Sequence, residues 1–209
     1  MMKNQLQAVL IVKLLQANFL GAQDPTDLED LVRTGDVFMD PEIMEPFNGP
    51  VVRYWESGRK RVTAELIEGL TTGLVKMYHS NGELAYEGIH IEGKPDGLEK
   101  TFYESGILFE ERYYSHGVYH GPFRKFYAND GLSYSGGYKQ GRQDGLWLRY
   151  YEDGSLNVMV HFRDGLQHGP VEDYTPSGDL RTKGMMENGL QCGIWLEEMV
   201  SVDYPACNL

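Results

Sequence analysis

Apolar and aromatic residues run along this chain in short stretches divided by glycines. Leu146-Trp147-Leu148-Arg149-Tyr150-Tyr151 and Leu156-Asn157-Val158-Met159-Val160-His161-Phe162 are two such stretches. Both are rich in aromatic and β-branched residues, the composition of strands. The glycines between them are periodic. Gly49, Gly73, Gly97, Gly121, Gly145, Gly169 and Gly193 are each 24 residues apart. Gly69, Gly93, Gly117, Gly141, Gly165 and Gly189 keep the same period, as do Gly58, Gly82, Gly106, Gly154 and Gly178. The third series has one gap, at Asp130, where the glycine has moved to Gly131. Residues 50–193 therefore read as six 24-residue repeats. A period of that length signals an array in which neighbours support one another.

Each repeat predicts one β-hairpin. The two strands are joined by turn residues such as Ser80-Asn81-Gly82, Glu152-Asp153-Gly154 or Pro176-Ser177-Gly178. Asn-Gly and Asp-Gly suit the left-handed backbone of a tight hairpin. The other connection has the form Gly-x-x-x-Gly, as in Gly141-Arg142-Gln143-Asp144-Gly145. A two-residue loop at the Asn/Asp-Gly turn sets Lys76 opposite Glu87, Lys100 opposite Glu111, and Glu172 opposite Lys183. It also sets Leu148 opposite Met159, Glu99 opposite Arg112, and Phe102 opposite Phe109. Charge meets opposite charge and apolar meets apolar, as cross-strand pairs require. One face then collects Trp55, Tyr103, Tyr127 and Tyr151, joined by Val75, Phe123 and Trp147 across from Gly88, Gly136 and Val160.

The fold class expected is all-β: an elongated single-layer antiparallel meander of about 13 strands, about 60 Å long. Residues 23–49 form a lead-in and cap with a half repeat, and residues 194–209 form a partial repeat and C-terminal cap. The N-terminus differs in character. Residues 1–22 have a basic start, an apolar stretch and Leu20-Gly21-Ala22. This reads as a secretory signal, or alternatively as a short N-terminal helix packed on the sheet. Export places the protein in the periplasm or outside the cell; the alternative is the cytoplasm.

Tyr86-Glu87-Gly88-Ile89-His90-Ile91-Glu92-Gly93-Lys94-Pro95-Asp96-Gly97 resembles the MORN repeat, with its Tyr-x-Gly and spaced Gly-x-x-x-Gly. Tyr134-Ser135-Gly136-Gly137-Tyr138 through Gly145 is a second copy. The period and the aromatic pair before Asn/Asp-Gly are similar to the bacterial variant found in YwqK-type antitoxins. Leu28–Gly35 and Glu45–Pro50 resemble the lead-in to such arrays. The likeness implies an antitoxin or immunity role. Eukaryotic MORN proteins are often linked to membrane lipids, but this array is acidic.

Charge narrows the partners. The chain carries a net charge of -12 with a pI near 4.9. Such a chain gains nothing from nucleic-acid phosphates, and an anionic membrane repels it. Lys76, Lys100 and Arg124 recur beside Tyr78, Phe102 and Phe126, a ladder that could grip an acidic polymer unless Glu87 and Glu111 neutralise it. Catalytic patterns do not emerge. His120 and His168 share a repeat position roughly 19 Å apart across four strands, too far to share a metal. Glu110 and Glu111 are strand neighbours and point to opposite faces. No cofactor is expected.

The composition fits a non-enzymatic module, a monomer that binds a protein partner. An acidic chain suits a basic partner such as a nucleic-acid-directed toxin. Tyr103, Tyr127, Trp147, Tyr150 and Tyr151 are the candidate contacts, since Tyr and Trp anchor interfaces; the plainer reading packs each along the stripe. The alternative is an exported envelope scaffold or surface-binding repeat protein, with Cys192 and Cys207 joined so that the tail is clipped to the sheet end. A polysaccharide-directed enzyme is the remote alternative.

Overall fold

The computed structural model describes residues 24–208. The expected N-terminal helix or signal at residues 1–22 lies outside them. A short β1 (Thr26–Asp27) leads into a 3₁₀ turn (Leu28–Asp30), β2 (Val32–Thr34) and β3 (Val37–Met39). The array follows as β4 (Gly49–Tyr54), β5 (Lys60–Ile67), β6 (Leu70–Tyr78), β7 (Leu84–Ile91), β8 (Lys94–Phe102) and β9 (Leu108–Ser115). It continues with β10 (Val118–Phe126), β11 (Leu132–Lys139), β12 (Arg142–Gln143), β13 (Gly145–Tyr150), β14 (Leu156–Arg163), β15 (Leu166–Tyr174), β16 (Leu180–Glu187), β17 (Leu190–Glu197) and β18 (Val200–Asp203). From β4 to β18 the strands pair in sequence order as one long antiparallel meander, with β12 and β13 both pairing with β11. The main sheet has 16 strands, more than expected, because β1, β12 and β18 join it. β1 adds a parallel pairing, on β4.

The charge-matched register is present: Lys76 faces Glu87, Lys100 faces Glu111, Glu99 faces Arg112, Leu148 faces Met159 and Glu172 faces Lys183. Phe102 departs from it and pairs with Leu108, not Phe109. The turns explain why. At the Asn/Asp-Gly site the loop has three residues: the Tyr103 N–H donates to the Ile107 carbonyl and the Gly106 N–H to the Tyr103 carbonyl. Gly106 has φ +83°, so this is the three-residue loop closed by a left-handed glycine. A bulge between Thr101 and Phe102 then absorbs the extra residue and restores the expected register. At Asp130 a non-glycine residue takes the left-handed conformation, with φ 66°.

The two-residue turns sit at the other connection. Glu92-Gly93, His116-Gly117, Gln140-Gly141 and Asp164-Gly165 all have two successive positive φ values, the mirror-image turn that matches strand twist. These turns stack. The Gly93 N–H donates to the Thr71 carbonyl, Gly117 to Pro95, Gly141 to Tyr119, and Gly165 to Gln143. The side chain that opens each strand packs on the next glycine, as Val118 does on Gly141 at 3.4 Å from a would-be Cβ.

The core is a row on one face. Val75 pairs with Gly88, Gly88 with Glu99, Glu99 with Arg112, Arg112 with Phe123, and Phe123 with Gly136. Trp147, Val160, Val171 and Gly184 continue it. A single layer buries little, and the deepest residues, Val51, Val52 and Leu66, lie at the N-terminal end. There the lead-in caps the array: the Phe38 N–H donates to the Gly69 carbonyl and the Gly69 N–H to that of Phe47. At the other end the Sγ atoms of Cys192 and Cys207 are bonded, holding the tail beside β17, where Tyr204 and Pro205 bond to the Gly193 backbone.

Candidate binding surfaces

The core face carries a polar chain where other repeats are apolar. Arg112 Nε donates to Glu99 Oε1 at 2.6 Å, and its Nη1 donates to the Tyr119 hydroxyl at 2.9 Å and lies 3.0 Å from Glu110 Oε1. The Tyr86 hydroxyl donates to Glu99 Oε2 at 3.1 Å and lies 2.9 Å from His90 Nε2. With its proton committed to Glu99, the Tyr86 oxygen accepts from Nε2–H, so His90 Nδ1 accepts from the Thr71 hydroxyl, 3.0 Å away. Glu99 is only 5 % exposed, a burial that an unpaired carboxylate could not sustain. Burial, then the charge and hydrogen bond of Glu99, push the Tyr86 phenol well above its ordinary range. Burial also holds His90 below its ordinary 6.5. Burial opposes the Arg112 charge, but the Glu99 hydrogen bond and charge outweigh it and raise the guanidinium further. Every member is satisfied by another, so the chain reads as structure.

The five aromatic contact candidates are not brought together. Trp147 is 6 % exposed; its indole N–H donates to the Gly137 carbonyl at 3.1 Å, and it packs against Phe123, Tyr138 and Phe162. That burial fits the plainer packing reading for Trp147. Tyr103, Tyr127 and Tyr151 are half-buried rungs that donate to the Phe126, Tyr150 and Tyr174 carbonyls at 2.9, 2.7 and 2.8 Å. Trp55 and His79 hold the two preceding rungs, to the Tyr78 and Phe102 carbonyls. Tyr150 is three residues from Trp147 and so lies on the opposite face. The plainer packing reading fits these positions.

The opposite, outer face bears two rows. In one, Lys100 lies 3.9 Å from Glu111, which also meets Arg124, and Lys183 is 2.7 Å from Glu172. Glu111 thus neutralises Lys100 and Arg124 of the expected basic ladder, and Lys76 faces Glu87 in register. In the other row Leu74 pairs with Ile89, and Leu98 with Tyr113. Leu74, Ile89 and Tyr113 are exposed, as is Leu146 further along. A notch of about 200 Å³ lies between the rows, lined by Leu74, Glu87, Ile89, Leu98 and Lys100. Strand alternation could have revealed this row, since positions two before Lys76, Lys100 and Leu148 are all leucine. A second concavity of about 200 Å³ lies on the core face, among Tyr134, Gln143, Trp147, Arg149, Val158, Val160 and Phe162.

No helix of the described residues is long and apolar enough to cross a membrane. The chain has no match among curated proteins. Three segments, residues 71–91, 95–116 and 143–164, match the family model described as the MORN repeat variant, and each lies on strands of the meander described above.

Proposed function

We propose that the protein is a non-catalytic repeat module that binds a protein partner through its outer face. The observation that carries this is the exposed row of Leu74, Ile89 and Tyr113 beside a row of paired charges. An apolar strip rimmed by polar residues is the usual anatomy of an interface. The net charge of -12 favours a basic partner, as an immunity protein holding a basic toxin would have. The test is affinity capture with the intact chain and with a Leu74→Asp/Ile89→Asp variant whose circular dichroism matches the wild type. A basic protein retained by the wild type and lost by the variant supports the reading. Equal retention by a folded variant refutes it.

A second reading, an exported envelope scaffold, is favoured by the Cys192–Cys207 bond, because disulfides persist in oxidising compartments. Non-reduced intact mass of the native protein from fractionated cells separates the two. An oxidised protein in the envelope fraction supports export. A reduced, full-length protein in the cytosol rules it out.

A further inference from the structure

The core-face concavity has a cause in the repeat pattern. One repeat position is filled in turn by Tyr86, Glu110, Tyr134 and Val158. The first two are drawn into the polar chain around Glu99 and Arg112. Val158 is short, and beside it the surface is left open over Val160, Phe162 and the edge of Trp147. This floor has no side-chain donor or acceptor to satisfy, apart from the Trp147 N–H already given to Gly137. It suits an apolar group.

One cation, Arg149, stands at the rim. Lys125, Tyr134 and Arg149 stand in line across three strands. Arg149 is exposed, and its side chain makes no hydrogen bond or ion pair among the described residues. Lys125 turns away from the pocket, its Nζ over the Phe109 ring at 4.7 Å from the centre. Of the two carboxylates nearest in register, Glu110 pairs with Arg112, and Asp173, across from Val158, pairs through Oδ2 with Arg181 while its buried Oδ1 has no partner among the described residues. The Tyr134 hydroxyl and the Gln143 amide have no partner among the described residues. The site thus offers an apolar floor with unpaired side-chain donors at its rim. At about 200 Å³, it is smaller than the roughly 300–1,000 Å³ of small-molecule sites. It fits one side chain of a longer segment.

We propose that this pocket receives an apolar side chain of a protein partner whose adjacent residue carries a carboxylate. The side chain seats on Val158, Val160 and Phe162, and Arg149 donates to the carboxylate. This surface is separate from the outer-face row, so either can fail without the other.

The test uses the full chain, isotope-labelled, titrated with blocked tetrapeptides acetyl-Ala-Phe-Asp-Ala-amide and acetyl-Ala-Phe-Asn-Ala-amide, and with phenylpropionate. The aspartyl peptide is expected to shift the Val158 and Val160 methyl signals saturably. The asparaginyl peptide should bind about tenfold more weakly, the loss of a charge-assisted pair. Arg149→Ala should abolish that preference, and Val158→Tyr, which restores the bulk of Tyr134, should abolish binding while the fold is retained. Equal binding of the two peptides overturns the carboxylate assignment. Unmoved Val158 and Val160 signals, or binding unaffected by Val158→Tyr, overturn the pocket. Phenylpropionate binding as tightly as the aspartyl peptide overturns the protein segment in favour of a free small acid.

Discussion

Gly136→Ala tests whether the core is held by large rings lying on glycines. A Cβ at Gly136 would lie 2.3, 2.4 and 2.7 Å from Cδ2, Cε2 and Cγ of Trp147. The φ of Gly136 is not positive, so the backbone accepts alanine and the cost comes from the ring. Overpacking costs about 1–3 kcal/mol. The indole is rigid and wedged between Phe123, Tyr138 and Phe162, so the upper end applies. Its displaced N–H also loses the Gly137 carbonyl, worth about 1 kcal/mol. We expect a loss of about 3–4 kcal/mol from these two contributions. The assay is guanidinium denaturation followed by far-ultraviolet circular dichroism. Gly154→Ala is the control: it meets nothing within 4 Å but has φ +85°, so it costs only the left-handed strain of about 1–2 kcal/mol. Trp147→Val in the Gly136→Ala background removes the clash, as Val75 lies across from Gly88. The double-mutant cycle should show a favourable coupling of about 1–3 kcal/mol. A Gly136→Ala protein within about 0.5 kcal/mol of wild type, the range of a neutral substitution, refutes the reasoning. So does simple additivity of the two changes.

Three further outcomes follow from the geometry. Tyr127→Phe removes one rung to the Tyr150 carbonyl and should cost about 1 kcal/mol in the same denaturation assay, whereas a residue used only for binding would leave stability unchanged. Reducing Cys192–Cys207, which closes a separation of 15 residues, should cost up to about 3 kcal/mol; hydrogen exchange should quicken in β17 and β18 and stay unchanged in β6 to β9. His90 is held below 6.5 in the fold, so the unfolded chain takes up the proton first and stability should fall as pH drops below 6.5. His90→Gln should lessen the difference in denaturation midpoint between pH 7 and 5.5.

Most of the fold was legible because its signals are local and repeated. Six copies of a glycine pattern set the hairpins, and pairs such as Lys76 with Glu87 set the register. The turn assignment was exchanged because Asn-Gly signals a tight turn without fixing loop length. The three-residue loop and the bulge beside Phe102 cancel, so the charge pairs alone do not distinguish them from a two-residue loop. The binding surface was less legible. Tyr103 and Trp147 look like interface anchors by type, but lateral bonds to the next strands claim their polar atoms, and those partners lie 23 and 10 residues away. Arg149 and Val158 carry no motif at all. They matter because one lacks a partner and the other is short where Tyr134 is long.

The unlike residues in the core row also answer a hazard of the architecture. Near-identical repeats offer alternative neighbours, and a hairpin displaced by one repeat would keep its glycines in place. The row forbids this. Were β8 and β9 to occupy the place of β10 and β11, Glu99 and Arg112 would stand where Phe123 and Gly136 now support Trp147. The indole would meet a guanidinium stem in place of the open space above glycine. Tyr86 would lose its acceptor Glu99, and His90, bonded to the Tyr86 hydroxyl, would lose its link to that carboxylate. Conversely, Phe123 in the place of Glu99 would leave the polar chain without its acceptor, and an unmet buried donor costs about 1–3 kcal/mol. The Glu99–Arg112 pair adds little net stability compared with an apolar pair. Its contribution is to make one rung of the array unlike every other, so that local repetition still specifies a single order of strands.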